Sequence, residues 1–214
     1  MTRITAIIMI CIVSLLFGCT TPPVKKDMTA FYAHKPRSIV VVPILNETTE
    51  ISAPSVFVST ITRPLAERGY YVFPVYLTDL ILKDFGLAEA GHIHLLATQR
   101  LYELFGADAV LYVTIKDWSS KYILISSTVV VEIDYELKDT RTGLVLWQAT
   151  EKVTKDSGGA EGGLIGMAIM AAVNAMVIDY QPLARQANNQ VFLPPKGLPA
   201  GPYHLEYGTD QDKF

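Results

Sequence analysis

Thiols are almost missing from this chain. Two of its 214 residues are cysteine, Cys11 and Cys19, and both fall within the first 19 positions. Beyond Cys19 no disulfide framework, cysteine metal site or cysteine nucleophile can be built. Positive charge is sparse too: 18 Lys and Arg stand against 21 Asp and Glu, and no basic run exceeds Lys25-Lys26. That excludes the clustered basic surface on which nucleic acid is held. The glycines between Gly158 and Gly166 lack the following Lys-Ser/Thr of a phosphate loop. Neither a dinucleotide fingerprint nor a Gly-x-Ser-x-Gly elbow occurs. There is no internal repeat. What remains is 50% hydrophobic and 18% charged, the composition of a chain with a core.

The first 37 residues read separately from the rest. Arg3 and the N-terminal amine precede a run from Ile4 to Phe17 broken only by Thr5 and Ser14. Signal-peptide cores span about 7–15 apolar residues and a membrane-spanning helix wants about 20. The run therefore reads as a signal, with an uncleaved signal anchor or a plain cleaved signal as alternatives. Leu16-Phe17-Gly18-Cys19 resembles the bacterial lipobox, in which a small residue precedes the cut and the cysteine thiol is acylated. Residues 1–18 are thus expected to be a lipoprotein signal peptide, with Cys19 carrying S-diacylglycerol and N-palmitoyl groups. Three acyl chains anchor far more firmly than the marginal binding of one. Thr20 stands where an Asp would mean inner-membrane retention, so the resemblance implies the outer membrane, facing the periplasm, with surface exposure as the alternative. Residues 19–37, with Pro22, Pro23 and Pro36, are expected to form a lipidated tether.

Residues 38–214 are expected to form a single α/β (α+β) domain. Ile39 to Val42 is a β-branched run that reads as a strand buried on both faces, which points to a parallel sheet. A helix is predicted over residues 52–68, with Ser52 as N-cap, Pro54 in its first turn, a kink or break at Pro64 and Gly69 as its stop. A strand follows over Tyr70 to Tyr76, a helix over Leu77 to Leu87, and another ending at Gly106 with Leu101, Leu104 and Phe105 on one side. Ala109 to Ile115 reads as a central strand. From Val129 apolar and acidic residues alternate: Val131, Ile133, Tyr135 and Leu137 on one face, Glu132, Asp134 and Glu136 on the other. A turn at residues 138–143, with Gly143 left-handed, leads to a strand placing Val145, Trp147 and Ala149 on one face. The result is a mixed five-stranded sheet, with parallel βαβ units followed by an antiparallel meander and helices packed on it. Residues 158–180 are rich in small apolar residues; they read as a core helix, with an oligomer contact or membrane contact as alternatives. The Pro- and Gly-rich tail is expected to run extended over the surface.

Candidates for chemistry are few. His92 and His94 alternate but lack a third metal ligand at a recognisable spacing, so no metal and no cofactor is expected. The Glu132, Asp134 and Glu136 row allows acid–base work in principle, though such rows are commonly a solvated strand face. Trp118 and Trp147 read as packing residues. No catalytic residue is assigned.

Four blocks resemble a family of bacterial lipoproteins of unknown function that includes a meningococcal surface-antigen candidate: Pro64 to Pro74 (PLAERGYYVFP), Phe105 to Asp108 (FGAD), Asp139 to Gly143 (DTRTG) and Gly201 to Gly208 (GPYHLEYG). The resemblance implies an α/β fold similar to the N-terminal domain of TolB and to CsgG-like secretion lipoproteins. It also implies envelope transport or assembly through contacts with envelope proteins and homo-oligomerisation. A CsgG-like pore subunit, using residues 121–150 as its hairpin, and an envelope hydrolase are the alternatives. Only Cys19 is carried over as a functional residue.

Overall fold

The computed structural model describes residues 26–123, 126–156 and 179–214. Its elements, in chain order, are α1 (Thr29–His34), β1 (Ser38–Val41), β2 (Leu45–Asn46), α2 (Ala53–Glu67), β3 (Tyr71–Val72), α3 (Val75–Asp84), α4 (Ala90–His94), α5 (Thr98–Phe105), β4 (Ala109–Ile123), β5 (Ser126–Asp139), β6 (Val145–Asp156) and α6 (Gln181–Val191). A last 3₁₀ turn covers Gln211–Lys213. The mixed sheet is six-stranded in the order β3-β1-β4-β5-β6, with β2 beside β4. β1 runs parallel to β3 and β4, and β4, β5 and β6 form the antiparallel meander. The sixth strand, unexpected from the sequence, is the two-residue β2.

Alternation of side chains divides the interior in two. Ile39 and Val41 of β1 face one core, and Val40 and Val42 face the other. The larger core takes Leu111, Val113 and Ile115 of β4 and Val131, Ile133, Tyr135 and Leu137 of β5. Ala53, Phe57, Ile61 and Leu65 cover it, spaced four apart along one side of α2, together with Leu183, Ala187 and Val191 of α6. The smaller core sets Leu82, Ile93 and Leu101, one from each of α3, α4 and α5, against Val40, Val110 and Tyr112. Those helices cover β1 and the start of β4 only. Over β5 and β6 the same sheet face has no helix among the described residues.

Several boundaries differ from the sequence expectation. The strand predicted over Tyr70 to Tyr76 is confined to Tyr71–Val72 because Pro74 has no N–H for the ladder and instead precedes the first turn of α3. Pro64 does not divide α2: it lies in the last turn, where only one helical bond is lost. Ser52 makes no side-chain cap; its hydroxyl donates to Glu50 at 2.7 Å. Val145 faces out, while Leu146 and Trp147 are both buried. A bulge opposite Leu137 and Lys138 leaves Leu146 unpaired and shifts the alternation by one residue. The fold also begins before residue 38, since Met28 and Phe31 are buried in the larger core. Residues 157–178, and with them nearly all of the predicted small-residue helix, lie outside the described residues.

The tail is not extended over the surface. It folds back in successive turns and buries Leu198, Ala200, Asp210 and Phe214. The reason is Arg68 at the end of α2, whose side chain is 7% exposed and would otherwise be an unpaired buried charge. Its guanidinium donates to the Leu198 carbonyl at 2.6 Å and to Asp210 Oδ2 at 3.0 Å. The Ala200 N–H donates to the same carboxylate oxygen at 2.7 Å. Gly69, at φ +85°, lies against this segment so closely that a Cβ would meet the His204 nitrogen at 2.5 Å.

A second tie joins α1 to the β5–β6 turn. Asp139 Oδ1 accepts the Arg141 and Thr142 N–H groups at 3.0 and 2.7 Å, and Oδ2 meets His34 Nδ1 at 2.9 Å. Burial alone would raise the Asp139 carboxyl, but the Thr142 N–H, the His34 ring and the Thr142 hydroxyl outweigh it and hold the pKa below its usual value.

Two outcomes follow for stability. Asp210→Ala strands Arg68 and should cost about 3–5 kcal/mol in urea unfolding, whereas Glu67→Ala, at the exposed Arg63–Glu67 pair, should leave the midpoint unmoved. For Asp139 the folded carboxyl has the lower pKa, so its stabilisation is present above the unfolded value of about 3.9 and is lost as pH falls through the folded one. The stability gap between wild type and Asp139→Asn should therefore be widest above about pH 4 and close on further acidification, measured by urea unfolding across the acid range.

Candidate functional site

Each carboxylate predicted on the outer face of β5 is there, and each has a neighbour across the strands. Glu132 accepts from Lys152 Nζ, Asp134 from Thr150 Oγ1 and Glu136 from Gln148 Nε2, all at 2.6 Å. Lys138 also meets Glu136 at 2.6 Å. These are the cross-strand pairs that an antiparallel register places opposite one another. They form a ladder, with the carboxylates committed to strand partners.

Above the ladder lies a shallow cavity of about 570 Å³ lined by His94, Tyr112, Thr114, Asp134, Glu136, Gln148 and Thr150 among others. It is the part of the second sheet face that α3, α4 and α5 leave open. His94, from the predicted pair, lies within α4, with its Nε2 3.0 Å from the Pro43 carbonyl and its ring edge-on to Tyr112 at 5.0 Å. Burial lowers the His94 pKa against the opposing pull of that carbonyl. Burial, helped by Glu136, pushes the Tyr112 hydroxyl up to about 12. Lys138 sits over the Tyr112 ring at 5.3 Å. The Tyr112 phenol thus stays protonated at neutral pH, and His94, its Nε2 against the Pro43 carbonyl, lines the cavity beside it. No group of three or more metal-ligating side chains is assembled among the described residues. Trp118 and Trp147 are buried in the larger core, as packing residues. Cys19 lies outside the described residues.

The feature missed by the sequence reading is the outer side of α3. Thr78 and Leu82 point inward, yet the residues turned to solvent include Tyr76, Leu77, Leu80, Ile81 and Phe85, with Phe85 62% exposed. Tyr71, on the neighbouring edge strand, is half exposed and packs edge-on to Phe73 at 5.1 Å. These side chains form a stretch of exposed apolar surface along α3 and the neighbouring edge strand, a feature that marks contact sites when it is contiguous. The signal was present in "VYLTDLILKDF": apolar residues occupy both sides of one helix, more than a single core contact can use.

Comparison with known proteins agrees with this architecture. A family model described as "Putative lipoprotein GNA1162-like" matches residues 26–202. A lipoprotein of Neisseria meningitidis serogroup B, NMB1124/NMB1162, is 36% identical over 148 residues, 69% of each chain. The crystal structure of lipoprotein GNA1162 from Neisseria meningitidis matches with a TM-score of 0.56 and 35% identity, over 66% of this chain and 98% of that one. The PelC dodecamer from Paraburkholderia phytofirmans is more remote, at 19% identity and a TM-score of 0.46 over 77% of this chain and 91% of that one. The mixed sheet, the packed helices and the matched span together establish that the chain belongs to the GNA1162-like lipoprotein family.

Proposed function

We infer that this lipoprotein is held at the inner leaflet of the outer membrane through acylated Cys19 and faces the periplasm. There it serves as an accessory or structural part of an envelope transport or assembly system. The observation that carries partner contact is the apolar outer side of α3. Its occupant is a protein with an apolar surface of its own, for two reasons. A helix that lies on a lipid surface is rich in Lys and Arg, whereas α3 has Lys83 against Asp79 and Asp84. Its position points the same way. Lys26, the first described residue after the acylation site, rests on the β6 edge, where its ammonium donates to the Gln148 carbonyl. In the order β3-β1-β4-β5-β6 that edge is four strand spacings, about 19 Å, from β3, beside which α3 starts. The apolar surface thus lies across the sheet from the point where the chain leaves for its anchor.

The geometry gives the pore reading less support. A lipid-facing hairpin needs one apolar strand face free, and the apolar face of β5 is spent on the larger core.

The anchor is tested by fractionation: Cys19→Ala should move the protein from membranes to the soluble fraction and abolish palmitate labelling, and unchanged fractionation removes the anchor from the reading. The docking face is tested with a photo-crosslinking residue at Leu77 or Ile81 in intact cells. A discrete protein adduct is expected there, none from the same residue at Arg63, and loss of the adduct in Leu80→Asp. Lipid adducts alone, or the same adduct from Arg63, would overturn the assignment of this face to a protein.

A further inference from the structure

Among the described residues Leu205 is the most exposed large apolar side chain, at 102%, as free of neighbours as in an isolated chain. Tyr203 and Tyr207, two residues to either side, are 68% and 45% exposed. They do not belong to a frayed end. The Tyr203 N–H donates to the Gly69 carbonyl at 3.1 Å, which ties the turn to the end of α2, and the Tyr207 N–H donates to the His204 carbonyl at 3.2 Å. Inside the turn the Glu206 N–H donates to His204 Nδ1 at 3.1 Å. The closed backbone holds Leu205 out at its apex.

A single exposed leucine is ordinary on a protein surface. What sets this one apart is its place relative to the anchor. Seven residues lead from Cys19 to Lys26, a chain that spans at most about 25 Å. Lys26 is fixed at Gln148, which pairs with Glu136, and β5 begins ten residues before Glu136, at Ser126. That length of strand is about 33 Å, so the sheet cannot stand on the bilayer by its β4–β5 tip. From Lys26 the chain runs through α1 toward the opposite end, where His34 is pinned to the β5–β6 turn. Lys35, next after His34, shares a cleft with Tyr207. Helix α1 is about 9 Å long, so the tether enters at one end of it and the tyrosine turn neighbours the other. The composition of the turn suits a phospholipid surface. Its one acidic residue, Glu206, is met by Lys213 at 2.7 Å, so no uncompensated anion opposes the headgroups. Tyrosines settle at headgroup level. A leucine that projects beyond its neighbours needs a matching socket in a protein, and none in a fluid acyl layer.

We propose that the turn at residues 203–207 rests on the phospholipid surface, with Leu205 among the acyl chains and Tyr203 and Tyr207 at headgroup level. This contact rests on the acylation of Cys19 inferred above and is independent of the partner on α3. Burial of one leucine favours contact about 10- to 100-fold, ample for a domain already tethered beside the bilayer. The test uses the full chain, purified from membranes and reconstituted in vesicles of phosphatidylethanolamine and phosphatidylglycerol, with a nitroxide on Leu205→Cys. Once Cys11 has left with the signal peptide and Cys19 is acylated, this is the only free thiol. Compared with the same label on Leu77→Cys in α3, it should gain access to oxygen, which dissolves among acyl chains, and lose access to a water-soluble nickel chelate. With the label moved to Tyr203→Cys, adding Leu205→Asp should restore access to the chelate, while sedimentation with the vesicles and the melting temperature stay unchanged. A chain that does not sediment with the vesicles removes the anchor and this contact with it. A chain that sediments with position 205 as open to the chelate as position 77 overturns the contact alone. So does a label shielded from oxygen and chelate together, the mark of a protein partner, or indifference to Leu205→Asp.

Discussion

A guanidinium buried at the end of a helix organises one whole flank of this protein. Arg68 cannot reach solvent, and its charge has to be answered where it sits. The answer comes from residues 130 and 142 positions downstream, which obliges the tail to return and turn under α2. Gly69 permits the approach, since its missing side chain is where the tail crosses. Everything placed by the returning segment, including Tyr207, Pro199 and the buried end of the chain at Phe214, follows from that one charge.

The sheet supplies the other organising asymmetry. One face is covered from β1 to β6 by α1, α2 and α6, and the other only over β1 and the start of β4. The two faces consequently differ in composition along a single strand. Tyr135 of β5 reaches Asn188 at 3.0 Å, and Asn188 reaches Thr60 at 2.8 Å, so the covered face contains a buried polar chain that ties β5, α6 and α2 together. One and three residues before Tyr135 on β5, Asp134 and Glu132 meet strand neighbours at the surface. Fold and exposed chemistry are thus separated by no more than the pleat of a strand.

What could be read in the sequence was what period and turn chemistry write locally. The β-branched run at Ile39, the alternation from Val129 and the left-handed glycines at 69, 106 and 143 all have the roles their local pattern implies. The failures share a different cause. Leu146 changes phase because of a bulge, which depends on the partner strand rather than on the residues around it. The tail was illegible because Pro and Gly describe turns but not their destination, and the destination is Arg68, far upstream. Phe31 and His34 gave no periodic signal in a six-residue helix, and their partners are a core and a turn about 100 residues away. The apolar side of α3, by contrast, was written in its composition.

Helix α1 also determines how force enters the domain. Whatever holds the chain upstream of Lys26, a pull on it passes the Lys26 contact with the Gln148 carbonyl and then meets Met28 and Phe31, seated in the larger core, and His34, pinned to the β5–β6 turn. The load is then shared between a hydrophobic plug and a hairpin tip along a single short helix. A domain on a leash is best protected when the leash is tied to its interior, and six residues are enough to tie it there.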